Sequence, residues 1–404
     1  MTKRVAARYA AERRFRALGF AAVALSVGFL AFLLITMASR GLGGFTHTEA
    51  RLVLDLPRSD IVIDPAALKS PDAPTIVAQA DLDSAIAKSA TATYGADATA
   101  LFGESAARAL GRQLIDDPTL LTRTQTVWLP VSAKVDVAAK GNGDDAQEKL
   151  VTALRAKDSL RTRFNFDFLT ASDATDPSVV GVWGALKGSF LTILVTMGLA
   201  FPVGVLAALY LEEFAPRNRW TDLVEVSINN LAAVPSIIFG LLGLAVFLNF
   251  MNLPRSAPLV GGLTLALMTM PVIVIAGRNA IKSVPPSIRD AALGVGASKM
   301  QVVFHHVLPL AAPGILTGAI IGMARALGET APLLMIGMRA FIASPPGGIT
   351  DPATVLPVQI FLWSDEVDRS FVEKTSAAII VLLVFMLLMN GLAIYLRNRF
   401  ERRW

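Results

Sequence analysis

Two ionisable residues, Arg325 and Glu329, interrupt an apolar segment that runs from about 311 to 338. A charged group inside a bilayer is costly, so such a residue in a membrane span marks a functional site by default. At a spacing of i and i+4, the two side chains would share one helix face and lie close enough to interact. Arginine offers a planar fork of donors that matches an oxyanion and stays charged in the membrane. The pair therefore predicts an oxyanion site, and a purely structural ion pair is the alternative.

The residues next to this pair refine the prediction. Glu329 could accept a hydrogen bond from a protonated oxyanion, which would favour phosphate over fully ionised sulfate. Gly328 would let a neighbouring backbone or a ligand approach, because it has no side chain. Pro332 should break the helical hydrogen-bond ladder and kink the span.

A second pattern lies in the polar segment just before this apolar stretch. It combines an acidic-Ala-Ala triplet, a glycine and a proline at fixed spacing: Asp290, Ala291, Ala292, Gly296 and Pro309. An acidic residue favours the start of a helix, and glycine permits a sharp turn. A second helix over about 298–307 should stop before the proline. The spacing predicts two short helices at an angle, forming a rigid knob for a groove on a partner; the alternative is an ordinary loop rich in alanine and glycine.

Hydropathy predicts the elements that must position these residues. The chain has 404 residues, of which 53% are hydrophobic and only 17% charged, against about 25% charged in a soluble domain. A bilayer core about 30 Å thick needs about 20 apolar residues in a helix. Six segments qualify: about Leu18–Met37, Val182–Leu211, Ile228–Phe250, Leu259–Gly277, Ala311–Met338 and Ser376–Leu396. The predicted fold class is thus an α-helical integral membrane protein with six transmembrane helices.

Basic residues set the predicted orientation. Lysine and arginine cluster before the first span and after the last: Lys3, Arg4, Arg8, Arg13, Arg14, Arg16, Arg397, Arg399, Arg402 and Arg403. The positive-inside rule then places both termini and the loop at about 278–308 in the cytoplasm. A cleaved signal peptide is the alternative reading of the first span. We favour an uncleaved anchor, because the apolar run exceeds the usual core of about 7–15 residues.

Residues 41–180 have ordinary soluble composition and form, by this topology, an extracytoplasmic α/β insert between the first two spans. Alternating residues predict strands at Arg51–Leu56, Asp60–Ile63 and Val127–Val137, with helices near Asp81–Leu114 and Gln147–Arg163 and a turn at Gly141–Asp144. The insert shows no catalytic motif, so we expect a docking or assembly module. The other predicted domains are 1–40, a cytoplasmic tail with the first span, and 181–404, a five-span permease domain with its cytoplasmic loop at about 282–309.

Composition excludes several kinds of chemistry. The chain has no cysteine, so it can form no disulfide and do no thiol chemistry, and its 3 histidines leave little for a metal site. It contains no Gly-x-x-x-x-Gly-Lys-Ser/Thr phosphate loop. We therefore expect no catalytic residue, metal or cofactor in this chain, and any ATP to be bound by another subunit.

Two segments resemble a known family. Residues Arg325–Pro332 are similar to the hallmark of Pst-type phosphate permeases, and Asp290–Pro309 resembles the "EAA" loop of ABC importer permeases. The Ala-Pro that follows Glu-Thr, together with Leu356–Ile360, resembles the PstA branch rather than its partner PstC. The resemblance covers about residues 180–400. The insert resembles the extended PstA forms of some Gram-negative bacteria.

The same comparison shows two departures from the family pattern. Asp290 stands where glutamate is usual, which keeps the charge, and His306 replaces an aliphatic residue. The family also tends to carry an arginine near the inner end of the fourth span, where this chain has Ile275 and, one turn later, Arg278.

The resemblance implies a type I-like permease subunit of an ATP-driven phosphate importer in the bacterial inner membrane. Its implied substrate path contains Arg325, Glu329, Thr330 and Arg278; its ATPase-coupling loop contains Asp290, Ala291, Ala292, Gly296 and Pro309. Implied partners are a second, PstC-like permease, PstB-like ATPases, a PstS-like periplasmic phosphate-binding protein, phosphate and the lipid bilayer, with no nucleic acid. The alternatives are a permease for sulfate or molybdate, a secondary transporter, and a membrane-anchored periplasmic sensor.

Overall fold

A computed structural model describes residues 2–58, 61 and 63–400. In chain order, the first helix and strand are α1 (Thr2–Gly41) and β1 (Thr46–Leu54). The insert continues with α2 (Ala73–Gln79), α3 (Leu82–Tyr94), α4 (Glu104–Asp116), β2 (Gln125–Pro130), α5 (Ala133–Ala139), α6 (Asp145–Ala156), β3 (Leu160–Phe164) and α7 (Phe166–Thr170). The remaining helices are α8 (Trp183–Leu209), α9 (Arg219–Ala232), α10 (Ser236–Gly243), α11 (Pro258–Lys282), α12 (Pro286–Gly294), α13 (Lys299–Gln301), α14 (Leu308–Gly328), α15 (Ala331–Met335), α16 (Leu356–Ser364) and α17 (Ser370–Phe400).

Three π-helical turns extend these helices: Tyr210–Phe214 follows α8, Leu244–Phe250 follows α10, and Val302–Val307 joins α13 to α14. Among the described residues, five helical segments are long and apolar enough to cross a membrane: Arg8–Phe45, Trp183–Phe214, Pro258–Lys282, Lys299–Gly328 and Ser370–Arg399. A sixth is present if the bent pair formed by α9 and α10 counts as one span. On that count the six predicted spans are all found.

The third predicted span, Ile228–Phe250, is wrong as a continuous helix. The chain bends by 101° between α9 and the helix that begins at Ser236. Pro235 explains the break, because proline lacks a backbone N–H and its ring clashes with the carbonyl four residues earlier. No residue of α9 is buried, so this helix packs on the outside of the bundle, against α11.

Helix α11 forms the centre of the membrane bundle and packs along α8 and α14. Small residues allow these backbones to approach closely, as is usual for membrane helices. A methyl group added to Gly318 would lie 2.2 Å from the Ala276 Cβ, and one added to Gly262 would lie 2.5 Å from the Val195 Cβ. By contrast, α1 packs along α17 and otherwise leaves its apolar residues exposed, as a lipid-facing helix would.

The insert is built on a three-stranded antiparallel sheet in the order β2-β1-β3. Its own hydrophobic core contains the inward-facing Leu52, Leu110 and Leu129, none of which is exposed. Helices α3 and α4 cover this core, because their apolar faces need a sheet to bury them.

The structure confirms part of the predicted insert. The strand predicted at Arg51–Leu56 is correct as far as Leu54, where β1 ends. The strand predicted at Val127–Val137 is half right, since β2 ends at Pro130 and α5 follows. The helix predicted near Gln147–Arg163 is found as far as Ala156, where α6 ends, and the chain then continues into β3. Of Asp60–Ile63, Ile61 and Ile63 lie outside any strand, while residues 60 and 62 lie outside the described part.

The predicted helical region Asp81–Leu114 contains α3 and α4, separated by a break after Gly95. The predicted turn at Gly141–Asp144 is found, with Gly141 at a φ of 87° that favours glycine.

A single ammonium group fastens the insert to the membrane bundle. Lys140 Nζ donates to the backbone oxygens of Gly43 and Thr46 at 2.8 and 2.9 Å. It also contacts the carboxylates of Asp136 in α5 and Glu373 in α17, at 2.8 and 3.1 Å. All three side chains are largely buried. The insert is therefore held against the first turn of the last span by a charged contact that excludes most water.

Replacing Lys140 with methionine should loosen this attachment. Removing one partner of a buried ion pair costs about 3–5 kcal/mol, because the other charge is left buried. We expect Lys140→Met to lower the unfolding temperature of the purified chain and to speed proteolysis between insert and bundle. Lys134→Met in α5, the helix that Lys140 follows, is the control, because Lys134 is exposed. If both variants have the same unfolding temperature and the same rate of proteolysis, Lys140 does not attach the insert to the bundle.

Candidate functional site

The predicted pair of Arg325 and Glu329 forms, but not on one continuous helix. Helix α14 ends at Gly328, and Glu329 has an extended backbone at φ −77° and ψ 127°. The two side chains still meet, with 3.5 Å between Arg325 Nε and Glu329 Oε1. Their exposed fractions are 44% and 19%. The ion pair thus lies on an open face of the subunit, at a helix end.

Pro332 ends this helix instead of kinking it. A proline ring clashes with the carbonyl four residues earlier, which here belongs to Gly328, the last residue of α14. Pro332 then takes a position in the first turn of α15, where its missing N–H is not needed. A methyl group added to Gly328 would meet, within 4 Å, no atom of the described residues outside its own helical turn and chain neighbours. The space beside Gly328 is therefore open.

Arg325 keeps most of its hydrogen-bonding capacity. Among the described residues, Glu329 supplies the one carboxylate within 4.0 Å of the guanidinium. Because arginine has five N–H donors, most remain available to a ligand or to a second subunit. Thr330 follows directly and begins α15 with its side chain in no capping hydrogen bond.

Arg278 lies elsewhere and is already occupied. Its Nε is 2.6 Å from Glu212 Oε1, and its Nη2 is 2.7 Å from Glu225 Oε2. Helices α11 and α14 pack antiparallel, with Gly314 against Ala280. At 1.5 Å per residue, Arg278 and Arg325 are roughly 14 Å apart along the axis. The structure does not bring Arg278 together with Arg325 and Glu329, so its place in the substrate path remains a prediction.

Arg278 instead belongs to a charged cluster formed by the ends of α8 and α11, the middle of α9 and α12, which sequence reasoning missed. Its members are Glu212, Glu213, Glu225, Arg278, Lys282 and Arg289. Several are mostly buried, with 11% of the Arg278 side chain and 13% of the Glu212 side chain exposed. The adjacent glutamates at the end of the second apolar segment were the available signal, because a buried acid needs a cation.

Arg289 joins this cluster to the knob segment. Its Nε and Nη2 donate to Glu213 Oε1 at 3.0 and 2.7 Å. Its remaining donors reach the carbonyls of Val284 and Ile281 at 2.7 and 3.0 Å, at the end of α11. The C-terminal carbonyls of a helix lack intrahelical partners, and a cation there is favourable. Arg289 therefore fixes α12 to two membrane helices at once.

The knob itself has the predicted two-helix shape with different boundaries. Helix α12 begins at Pro286, so Asp290 lies in its middle rather than at its start, and Ala291 and Ala292 follow in the same helix. Gly296 turns the chain with a φ of 88°, as predicted. Ser298 then caps the next helix through a reciprocal pair of hydrogen bonds with Gln301.

The second knob helix does not stop before Pro309, contrary to the prediction. It continues from Lys299 to Gly328 as one helical segment. The π-helical turn at Val302–Val307 lies directly before the proline. Such a turn shifts the hydrogen-bonding register, which lets the helix pass a residue that has no N–H. His305 and His306 are exposed on this turn.

Apolar side chains cover the tip of the knob. Val295 is 86% exposed, Met300 55% and Leu293 50%. Exposed apolar groups on a rigid element are typical of a surface that a partner covers. The tip therefore has the properties of a docking contact.

A bundle of five or six spans, an open face with an ion pair and a rigid exposed knob together define a membrane transport subunit. Residues 200–403 match the family described as binding-protein-dependent transport system inner membrane component, and the chain belongs to that family. Residues 2–149 match a domain of unknown function, DUF3333. The predicted helical membrane fold is thereby confirmed, and the family implies ATPase and substrate-binding-protein partners.

Relatives of known name agree with this assignment. A probable ABC transporter permease protein, YqgI of Bacillus subtilis, is 32% identical over 212 residues, which cover 50% of this chain and 71% of that protein. The phosphate transport system permease protein PstA of Yersinia pestis is 32% identical over 214 residues, covering 53% and 71%. Among solved structures, the methionine ABC transporter MetNI matches with a TM-score of 0.43 and 19% identity, over 55% of this chain and 95% of the other. The predicted resemblance to PstA is confirmed.

The charged cluster predicts a large effect of a single substitution. Arg278→Met removes the cation that binds Glu212 and Glu225, and leaves the mostly buried Glu212 with Lys282 as its remaining cation. We expect a loss of at most about 3–5 kcal/mol in the free energy of unfolding. Adding Glu212→Gln should recover part of this loss, because a buried carboxylate that has lost a partner is removed. Arg217→Met is the control, since Arg217 is exposed and makes no ion pair among the described residues. Thermal unfolding measures all three; an Arg278→Met curve like the control would argue against the cluster.

Proposed function

We propose that this chain is the PstA-type permease subunit of an ATP-driven importer of inorganic phosphate. The observation that carries the proposal is the pair of Arg325 and Glu329 at a helix end, on an open face, with arginine donors left unused. Relatives that are named as phosphate permeases support the same substrate.

The pair offers both halves of a phosphate contact. The Arg325 guanidinium can hold two phosphate oxygens with its planar fork. Phosphate carries a proton at neutral pH, and the Glu329 carboxylate can accept a hydrogen bond from that hydroxyl. Fully ionised sulfate has no such proton and would be repelled. A permease for another oxyanion, sulfate or molybdate, is the second candidate, because the arginine alone does not discriminate among tetrahedral anions.

The partners follow from the open surfaces. A second, PstC-like permease would complete the path beside Arg325, and PstB-like ATPases would receive the tip formed by Leu293, Val295 and Met300. A PstS-like protein would deliver phosphate from outside. ATP would be bound by the ATPase subunits alone. Closure of the ATPases would move the knob, and Arg289 with its cluster would pass that motion to α8 and α11, which is how alternating access is coupled to a helix bundle.

The proposed orientation places both termini and the knob in the cytoplasm and residues 41–180 in the periplasm. The knob lies between α11 and α14, so this orientation also puts it on the side where the ATPases work. Since the chain has no cysteine, single cysteines can report the topology.

A charge swap separates a binding pair from a structural one. With Glu at 325 and Arg at 329, an ion pair survives, but the arginine fork leaves its position. We expect phosphate uptake to fall, because losing a charge-assisted hydrogen bond costs about 1.5–3 kcal/mol, or roughly 10- to 150-fold. Arg325→Lys should fail similarly, since an ammonium lacks the planar fork. Substantial uptake in the swap at matched expression would defeat the proposed site.

The coupling contact can be tested at its most exposed residue. Val295→Asp would place a charge at an apolar contact, and we expect weaker co-purification of the ATPase and lower uptake. Val367→Asp is a matched control, because Val367 is 95% exposed and lies between α16 and α17, at the other end of the bundle. If Val295→Asp retains the ATPase as well as the control does, the tip is not the contact.

Topology is tested by accessibility to an impermeant thiol reagent. We expect a cysteine at Asn142 to react in intact spheroplasts, and one at Arg217, between α8 and α9, only after the membrane is opened. Both positions are exposed, so access to the reagent depends on the side of the membrane. The reverse pattern would overturn the orientation.

A further inference from the structure

A small cavity lies where the insert meets the first turn of the last span. Its volume is about 190 Å³, and its walls include Ser105, Arg108, Arg112, Ser178, Glu373 and Lys374. Pockets for drug-sized ligands usually measure about 300–1,000 Å³, so this one suits a small ion. It is separate from the pair of Arg325 and Glu329, which does not line it.

Lys374 places a buried cation in this wall. The residue is only 5% exposed, and its Nζ donates a hydrogen bond to the Gly44 carbonyl oxygen at 3.4 Å. Its ammonium also lies 5.6 Å from the centre of the Phe168 ring. Within the described part of the chain, no carboxylate oxygen lies within 4.0 Å of this ammonium. A buried charge is costly unless it is paired, and an ammonium has three donors to satisfy.

The carboxylates that face the cavity are already bound by other groups. Asp136 accepts from the Thr48 backbone N–H and from Lys140, and Lys140 also binds Glu373. Both oxygens of Asp167 accept from Arg112. The Arg112 hydrogen bonds hold the pKa of Asp167 below its ordinary value, so this group stays ionised and paired. The acceptors of the cavity wall are thus largely satisfied.

Donors, by contrast, remain free around the cavity. The Ser105 and Ser178 hydroxyls are buried and find no hydrogen-bond partner among the described residues. Arg108 adds a guanidinium that uses one nitrogen on Glu104. A ligand that fits must therefore carry several acceptor oxygens and a negative charge within a small volume. A tetrahedral oxyanion has both properties.

We propose that this cavity binds a phosphate-type oxyanion, with the Lys374 ammonium as its main contact and the Ser105 and Ser178 hydroxyls as further donors. The site lies outside the proposed substrate pair and goes beyond the transport function. Inorganic phosphate and the phosphate of a lipid headgroup share this chemistry. Either occupant would bridge the insert and α17 and so strengthen their contact.

The test uses the full chain in a maltoside detergent, which contains no phosphate, with binding of radiolabelled inorganic phosphate measured by equilibrium dialysis. We expect Lys374→Met to weaken binding about 10- to 150-fold, the loss of a charge-assisted contact. Lys374→Arg should restore much of it, because the charge returns. Arg325→Met should leave this binding intact; if it alone abolishes binding, phosphate occupies the substrate pair and the cavity proposal fails.

A second arm addresses the lipid source. The chain is purified from membranes that contain phosphatidylglycerol, and bound lipid is identified by native mass spectrometry. Anionic lipid retained by the unaltered chain and lost in Lys374→Met supports the site, with a headgroup as its occupant. Ser105→Val removes a hydroxyl and narrows the cavity, so it should weaken binding of whichever ligand is found. This variant keeps the proposal testable if the lysine variants do not fold. Absence of phosphate and lipid binding in both arms, or binding that neither Lys374→Met nor Ser105→Val changes, overturns the proposal.

Discussion

Charges that leave water must find partners inside the protein, and this requirement shapes the end of the bundle that carries the knob. Arg278 and Arg289 each bind carboxylates from a different helix, and both are mostly buried. Because a buried charge without its partner is costly, these helices cannot separate independently. The position of α12 and the orientation of the knob depend on the Arg289 contacts. The open ion pair of Arg325 and Glu329 differs, since it is solvent-accessible and free to exchange partners.

Sequence patterns predicted the apolar helices well, because a span depends on the average composition of about 20 residues. They also located the knob, since its turn at Gly296 needs a left-handed backbone that glycine adopts readily. The charged cluster could not be predicted in this way. Glu212 and Arg278 lie 66 residues apart, and only the packing of α8 on α11 brings them together.

Three prolines show where a local rule is insufficient. Pro235 and Pro332 end helices, as a missing N–H and a steric clash require. Pro309 does not, because the π-helical turn before it takes up the change in hydrogen-bonding register. The residue type is the same in all three cases, and the neighbouring backbone decides the outcome. The insert shows a similar limit, since β3 follows α6 directly and its residues pair with β1, more than 100 positions earlier.

The uninterrupted helical segment from Lys299 to Gly328 spans 30 residues, or about 45 Å. Its lower end belongs to the knob, and its upper end carries Arg325. Because the helix is continuous between the knob and the arginine, a displacement of the knob along the helix axis would also move Arg325. A shift of about 1 Å is comparable with the difference between a formed and a broken hydrogen bond, so the contacts of this arginine would respond to small movements of the knob.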